Sequence, residues 1–253
     1  EPYENALKGF VQKLLGQIGD NAFLADLQAL GATIAWFGML NSLSMTLIKY
    51  ASAGVPDMYQ GNELADLSLV DPDNRRPVDY AARADWLDRM AAVLQTPGIA
   101  EAARGFAAAP HEGAAKLWAT WRLLALREAE PALFREGSYT ALHAAGAKAS
   151  HVIAFTRAHE DKAMVLIAAR LFVSLATDAE AQAAQAASDG WLPLGEKVWT
   201  DTVVQLPGWP EGARFENVLT GEELVVQNGA VRLADAFKSF PGAALKALDA
   251  PSH

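Results

Sequence analysis

Apolar residues recur three and four positions apart at the start of the chain, at Leu7, Phe10, Val11, Leu14 and Leu15, and this spacing predicts an amphipathic helix over 3–15 with one buried stripe. Asp20 or Asn21 offers a side-chain cap for a second helix. In it Phe23, Leu27, Leu30, Ile34 and Phe37 repeat the spacing, and Leu40, Leu43 and Leu47 carry it almost to Gly54. Gly31 and Asn41 leave open whether this is one helix or two. From 27 to 48 no residue is charged, and the stretch is long enough to span a bilayer. Gln28, Thr33, Asn41, Ser42, Ser44 and Thr46 interrupt it, however, and no basic cluster flanks it, so it reads as helix buried inside the protein with no membrane partner.

The period changes at Gly54. The run Gly54-Val55-Pro56-Asp57-Met58-Tyr59-Gln60-Gly61 has glycine at both ends and a proline near its start, and reads as one short strand at about 55–60. Residues 62–80 are rich in Asn, Asp and Arg, and Pro72 and Pro77 oppose helix; a polar loop of this length usually carries function. Helical patterning returns over 81–94 and 114–129, the second with Leu117, Trp121 and Leu124 on one side and Pro131 as a stop.

Beyond Ser150 the texture becomes β-like. Residues 152–156 and 163–167 flank the polar His159-Glu160-Asp161-Lys162 as a hairpin, and short strands are expected at 198–206, 215–219 and 224–227, with Thr220-Gly221-Glu222 turning between the last two. The Ala- and Gln-rich stretch 178–190 has little large apolar surface to bury and reads as a loop or loose helix. A short helix over 232–240 and a last strand or helix over 243–248 complete the tail. Helices around one strand, then an all-β tail, give an α+β chain: the end of an α/β domain over 1–145, followed by an antiparallel β-sandwich over 146–253.

Charge narrows the chemistry. Lys and Arg total 21 against 30 Asp and Glu, a net charge of −9, so there is no basic surface for nucleic acid to use. Zero cysteines exclude a disulfide framework, a zinc ribbon and a thiol nucleophile, and fit a reducing compartment, the cytoplasm. His111, His143, His151, His159 and His253 show no pair at ligand spacing, so neither metal nor cofactor is expected. The tryptophans on helical faces read as core, and Trp209, between Gly208 and Pro210, as the best exposed candidate for sugar stacking. The opening Glu1-Pro2-Tyr3-Glu4 has no initiator Met and no signal-peptide order, as in a cut piece.

Two neighbouring motifs carry a resemblance. Gly54 to Glu63 has the form G-x-P-x-x-Y-x-G-x-E and resembles the eighth strand and following loop of the alpha-amylase superfamily barrel. The run Ser68-Leu69-Val70-Asp71-Pro72-Asp73-Asn74-Arg75-Arg76-Pro77-Val78-Asp79-Tyr80 is specifically similar to the maltooligosyl trehalose synthase family. The stretch from Trp121 to Tyr139 looks like the last barrel helix and the exit to the family's C-terminal domain. The resemblance implies the last strand and closing helices of a (β/α)8 barrel, then a β-sandwich. It also implies conversion of the reducing-end α-1,4 linkage of a maltooligosaccharide to α,α-1,1 by intramolecular transglycosylation.

The family's carboxylates sit on the fourth, fifth and seventh strands, and no motif here matches them. No catalytic residue is therefore assigned, and the chain alone is expected to be inactive without an N-terminal barrel portion. Loops at the C-terminal ends of barrel strands build the active face, which makes Tyr59, Asn62, Glu63, Asp71, Asn74, Arg75 and Arg76 the candidates for gripping sugar hydroxyls or orienting the acids. Asp71, Asp73, Arg75 and Arg76 also fit a local salt-bridge cluster that fixes the loop, and both readings can hold together. Two other functions remain open: a free-standing carbohydrate-binding or interaction module, and part of another alpha-glucan hydrolase or transglycosidase. Barrel helices without their strands would leave apolar surface to be hidden by self-association.

Overall fold

The computed structural model describes residues 1–16, 21–109, 112–176, 187 and 190–249. Helix α1 (Pro2–Gly16) forms where the spacing predicts it, but the stripe is not buried: Leu7, Phe10, Val11 and Leu15 are all exposed. Helix α2 (Ala22–Ala51) is a single helix of 30 residues, split at neither Gly31 nor Asn41. Asn21 caps it, its side chain accepting the Leu24 N–H at 3.1 Å.

The expected burial of α2 holds only for its C-terminal half. Phe37, Leu40, Leu43 and Leu47 are buried, whereas Phe23, Leu27, Leu30 and Ile34 are 43–63 % exposed. The N-terminal half is covered only in part, as at Trp36, whose indole N–H donates to the Trp191 carbonyl at 2.9 Å. By length and composition α2 could cross a membrane, but its C-terminal half is packed into the protein core.

Residues 55–60 are not paired as a strand within the described chain. They form no ladder with any described strand, because a strand exists only by pairing and no described segment supplies the partner. Helix α3 (Tyr80–Val93) follows the polar loop, capped by the Asp79 carboxylate on the Ala82 N–H at 2.9 Å. Helix α4 (Ile99–Ala108) lies in a stretch that the sequence reading left without an element. Helix α5 (Ala114–Ala129) is where it was expected. Pro131 begins the short helix α6 (Pro131–Arg135), where its missing N–H is harmless in the first turn.

The remaining chain is mostly antiparallel sheet. Strands β1 (Ser138–Ala141), β2 (Ala144–Ala145), β3 (Val152–His159) and β4 (Lys162–Ala169) are followed by the short helices α7 (Phe172–Ala176) and α8 (Glu196–Trp199). Next come β5 (Val203–Gln205), β6 (Arg214–Asn217), β7 (Glu223–Val225), β8 (Ala230–Arg232), helix α9 (Leu233–Ala236) and β9 (Gly242–Ala247). Six strands run β1-β3-β4-β9-β6-β7 and three run β2-β5-β8. The expected hairpin is β3–β4, in register from Val152 opposite Ala169 to His159 opposite Lys162.

The expected strand at 198–206 begins in helix α8 and is strand only at β5 (Val203–Gln205). Trp199 is fully buried with its indole N–H on the Pro193 carbonyl at 2.8 Å, and Thr200 at φ +45° breaks the extended run. Of the stretch 178–190, only 187 and 190 fall among the described residues, so its loop reading lies outside them.

Strand β4 shows why the six-stranded sheet is the middle layer. Met164 and Leu166 enter the core shared with Leu47 of α2 and Trp118 of α5. Val165, Ile167 and Ala169 enter the core shared with Val204 of β5 and Val231 of β8. A strand buried on both faces reads as a continuous apolar run, as Ala163 to Ala169 does. Trp118 bolts the helices to the sheet domain, donating its indole N–H to the Leu219 carbonyl at 2.8 Å. Arg122 does the same to Val218, also at 2.8 Å.

Candidate functional site

The segment from Gly54 to Glu63 is held by side chains where a barrel strand would be held by a ladder. At its start, Arg127 of α5 donates to the carbonyls of Tyr50 at 2.9 Å and Gly54 at 2.7 Å. It thus places a cation where the unpaired carbonyls of the α2 C-terminus gather negative potential. In the middle, Lys49 donates to the Asp57 carbonyl at 2.9 Å, and the Tyr50 hydroxyl to the Met58 sulfur at 3.5 Å. At its end, Arg83 in the first turn of α3 donates to the Gly61 carbonyl at 2.6 Å, to the Asp79 carbonyl at 2.9 Å and to the Glu63 carboxylate at 2.8 Å.

The Glu63 and Arg83 side chains are largely buried, and the electrostatics follow from that. Burial alone would raise the Glu63 carboxyl, but the Arg83 hydrogen bond and charge, with backbone N–H bonds, outweigh it and hold Glu63 below its ordinary range. On the other side, α5 abuts the loop through Gly113, which has φ +76°; a Cβ there would fall 2.2 Å from the backbone nitrogen of Ala65. That approach is open only to glycine.

The polar loop is built from short carboxylate turns. Asp66 accepts the Ser68 N–H at 2.9 Å and hydroxyl at 2.7 Å, which keep its carboxyl low. Asp73 accepts the Leu69 N–H at 2.8 Å and pairs with Arg76; Asp71 pairs with Arg75 at 2.5 Å. All four members of the expected salt-bridge cluster are therefore engaged locally, in a 3₁₀ turn at Asp73–Arg75.

Two cavities flank this loop. One, about 440 Å³, is polar and lies toward α3, with Asp66, Asn74, Arg76, Asp79 and Arg83 in its wall. The other, about 370 Å³, lies toward α2 with an apolar wall that includes Ile34, Met39 and Leu43, and with Asn62, Asp66 and Lys116 as its charged and amide groups. Burial, and then the Lys49 charge, lower the Lys116 ammonium from its ordinary value, against the opposing pull of Asp66 and Glu63.

The seven candidate residues thus do not converge on one point. Asn74 and Arg76 line the polar cleft and Asn62 lines the apolar one. Glu63 is committed to Arg83, the exposed pair Asp71–Arg75 faces solvent, and the Tyr59 ring is exposed beside them. Asn74 Oδ1 is buried without a hydrogen-bond partner among the described residues, an unmet acceptor in the cleft wall.

Sequence reasoning missed Arg83, Gly113 and Lys116. Arg83 left a faint signal, four residues after the capping Asp79, but its pairing with Glu63 spans 20 positions and has no local pattern. Trp209, expected to be the exposed candidate, is half-buried, with its ring 4.6 Å from that of Phe215. His111 and His253 lie outside the described residues.

No family model matches the chain. The solved structures that share its fold include maltooligosyltrehalose synthases. The maltooligosyltrehalose synthase of Arthrobacter ramosus superposes on 90% of this chain with a TM-score of 0.66 and 32% identity, the match taking in 25% of that chain. Another maltooligosyl trehalose synthase structure shares the fold at a TM-score of 0.57 and 23% identity, with 90% of this chain and 24% of the other covered. A Mycobacterium tuberculosis protein assigned as a maltooligosyl trehalose synthase is 34% identical over 205 residues, 79% of this chain and 22% of its own length. The chain is a relative of the maltooligosyl trehalose synthases and spans about a fifth to a quarter of their length.

Proposed function

We propose that this chain acts as the C-terminal portion of a cytoplasmic maltooligosyl trehalose synthase, supplying the last barrel strand at 55–60, the closing helices and a β-sandwich domain. In that enzyme the reducing-end α-1,4 linkage of a maltooligosaccharide becomes α,α-1,1. A carboxylate takes up the glycosyl group, an acid protonates the departing oxygen, and the released glucose reattacks through its anomeric hydroxyl. Both acids come from the barrel portion outside this chain, and the chain alone has no turnover. Its own part is to hold sugar hydroxyls and keep water away from the glycosyl intermediate.

The observation that carries this reading is the clamped loop itself. Asn74 and Arg76 face a polar cleft of about 440 Å³ in the loop that follows the Gly54–Gly61 segment, which Arg127, Lys49 and Arg83 hold in place. The unmet Asn74 acceptor fits a substrate-side or supporting role for this wall. The test is Asn74→Ala and Arg76→Ala in the complete enzyme, with products from maltoheptaose analysed for trehalosyl ends. Loss of one hydrogen bond to the transition state lowers kcat/KM by roughly tenfold. Unchanged rate and product in both variants would remove the loop from the site.

A further inference from the structure

The sheet domain has a cavity of its own. About 260 Å³ in size, it lies between the β1–β2 connection, the end of β5 and the turn before β8, and it shares no wall residue with either cavity beside the loop. Its frame is tied together by backbone bonds: the Gln205 N–H donates to the His143 carbonyl at 2.9 Å, and the Leu206 N–H to the Gly229 carbonyl at 2.8 Å. Asn228 and Gly229, at φ +53° and +70°, make a two-residue turn closed by the bridge between Gln227 and Ala230, and Asn-Gly is the pair that such a turn favours. The Glu211 carboxylate pins this turn by accepting the Asn228 N–H at 2.8 Å. The side chains on the frame are free by contrast. The His143 imidazole and the Gln205 and Asn228 amides are exposed and make no hydrogen bond or ion pair among the described residues.

Their chemistry selects a ligand class. Amides and imidazole both donate and accept hydrogen bonds, as sugar hydroxyls do. Leu142 and Pro207 add apolar wall for the C–H face of a pyranose ring. No Asp, Glu, Lys or Arg lines the cavity, although the chain carries a net charge of −9, so the ligand that fits is neutral. The volume is a little under the roughly 300 Å³ at which ligand pockets begin, which suits one ring of a sugar and not a chain. We propose that this cavity is a second carbohydrate site, holding one glucosyl unit of an α-glucan away from the polar loop. A frame fixed before the ligand arrives loses little freedom on binding. The class of neutral sugar rests on the cavity; the choice of α-glucan rests on the functional reading above.

The experiment titrates this chain with maltoheptaose and reads the NMR shifts of the amides of 142–143, 205–206 and 228–229. Saturable shifts at these amides are expected. Gln205→Ala and Asn228→Gly each weaken them roughly tenfold, the loss of about one hydrogen bond. Both variants remove an exposed side chain, and glycine keeps the left-handed turn at 228, so their thermal melts match that of the parent chain. Arg76→Ala, in the cleft beside the loop, leaves the shifts at these amides unchanged. No saturable shift there at millimolar sugar, or shifts that Gln205→Ala and Asn228→Gly leave as they were, would overturn the proposal. Binding in this cavity without trehalosyl product from the complete enzyme sinks the functional reading and leaves the sugar site standing. Trehalosyl product without binding in this cavity does the reverse.

Discussion

Arg83 and Glu63 are joined at 2.8 Å across 20 residues of sequence, and the same guanidinium caps the carbonyl of Gly61, so one side chain closes the loop after the clamped segment onto α3. Both side chains are mostly shielded from water, so removing one partner strands the other.

Arg83→Met leaves a partly buried carboxylate and a carbonyl without donors. Stability falls by about 1–3 kcal/mol, the range for a charged hydrogen-bonding group left unmatched. Urea unfolding measures it, and amides of 61–66 exchange faster. A loss no larger than that of Arg89→Met, whose pair with Asp85 is exposed, would show that the clamp is idle.

The Glu63 carboxyl is lower in the folded chain than its ordinary 4.5. Between the two values the unfolded state binds more protons, so this contribution is complete above the unfolded value and is lost as pH falls through the folded one. Urea titrations of the chain and of Glu63→Gln from pH 6 to 3 should therefore converge as pH drops. A stability difference that is constant across this range contradicts the assignment.

Gly113→Ala meets two obstacles together, a left-handed backbone and the Ala65 nitrogen, while Gly9 within α1 has nothing within 4 Å of a new Cβ. The first substitution costs about 1–3 kcal/mol and displaces the loop. The second gains about 0.5–1 kcal/mol by helix propensity. Thermal melts of the two variants should move in opposite directions.

Trp118→Ala opens a cavity where helices and sheet meet and leaves the Leu219 carbonyl without its donor. The cost is about 3–5 kcal/mol. Near-UV circular dichroism and denaturant titration read the loss together, and a shift under 1 kcal/mol would mean that the helical layer does not depend on this contact.

Much of the architecture was legible because it is local. The three-and-four spacing marked α1, α2, α3 and α5, the Asn21 cap was visible as a residue type, and the paired apolar runs around His159-Glu160-Asp161-Lys162 specified β3 and β4. Helix α4 escaped, and Pro131 was read as an end where it is a beginning. For the candidate site, the motif located the loop and the local cluster of Asp71, Asp73, Arg75 and Arg76, whose pairs lie three or four residues apart. It did not reveal that Asn62 and Asn74 face different cavities, because the fold of the intervening backbone sets that.

By itself the sequence determined the helices, the hairpin, the absence of thiol chemistry and the kinship with the maltooligosyl trehalose synthases, since periodicity, residue type and motif reside in the order of the residues. Only the tertiary structure decided that Arg83, Lys49 and Arg127 hold the Gly54–Glu63 segment, that Gly113 lets α5 approach Ala65, and that the stripes of α1 and of the N-terminal half of α2 face outward. The reason is that burial and strand pairing are relations between distant segments. An apolar stripe becomes core, and an extended run becomes strand, only where another segment lies against it.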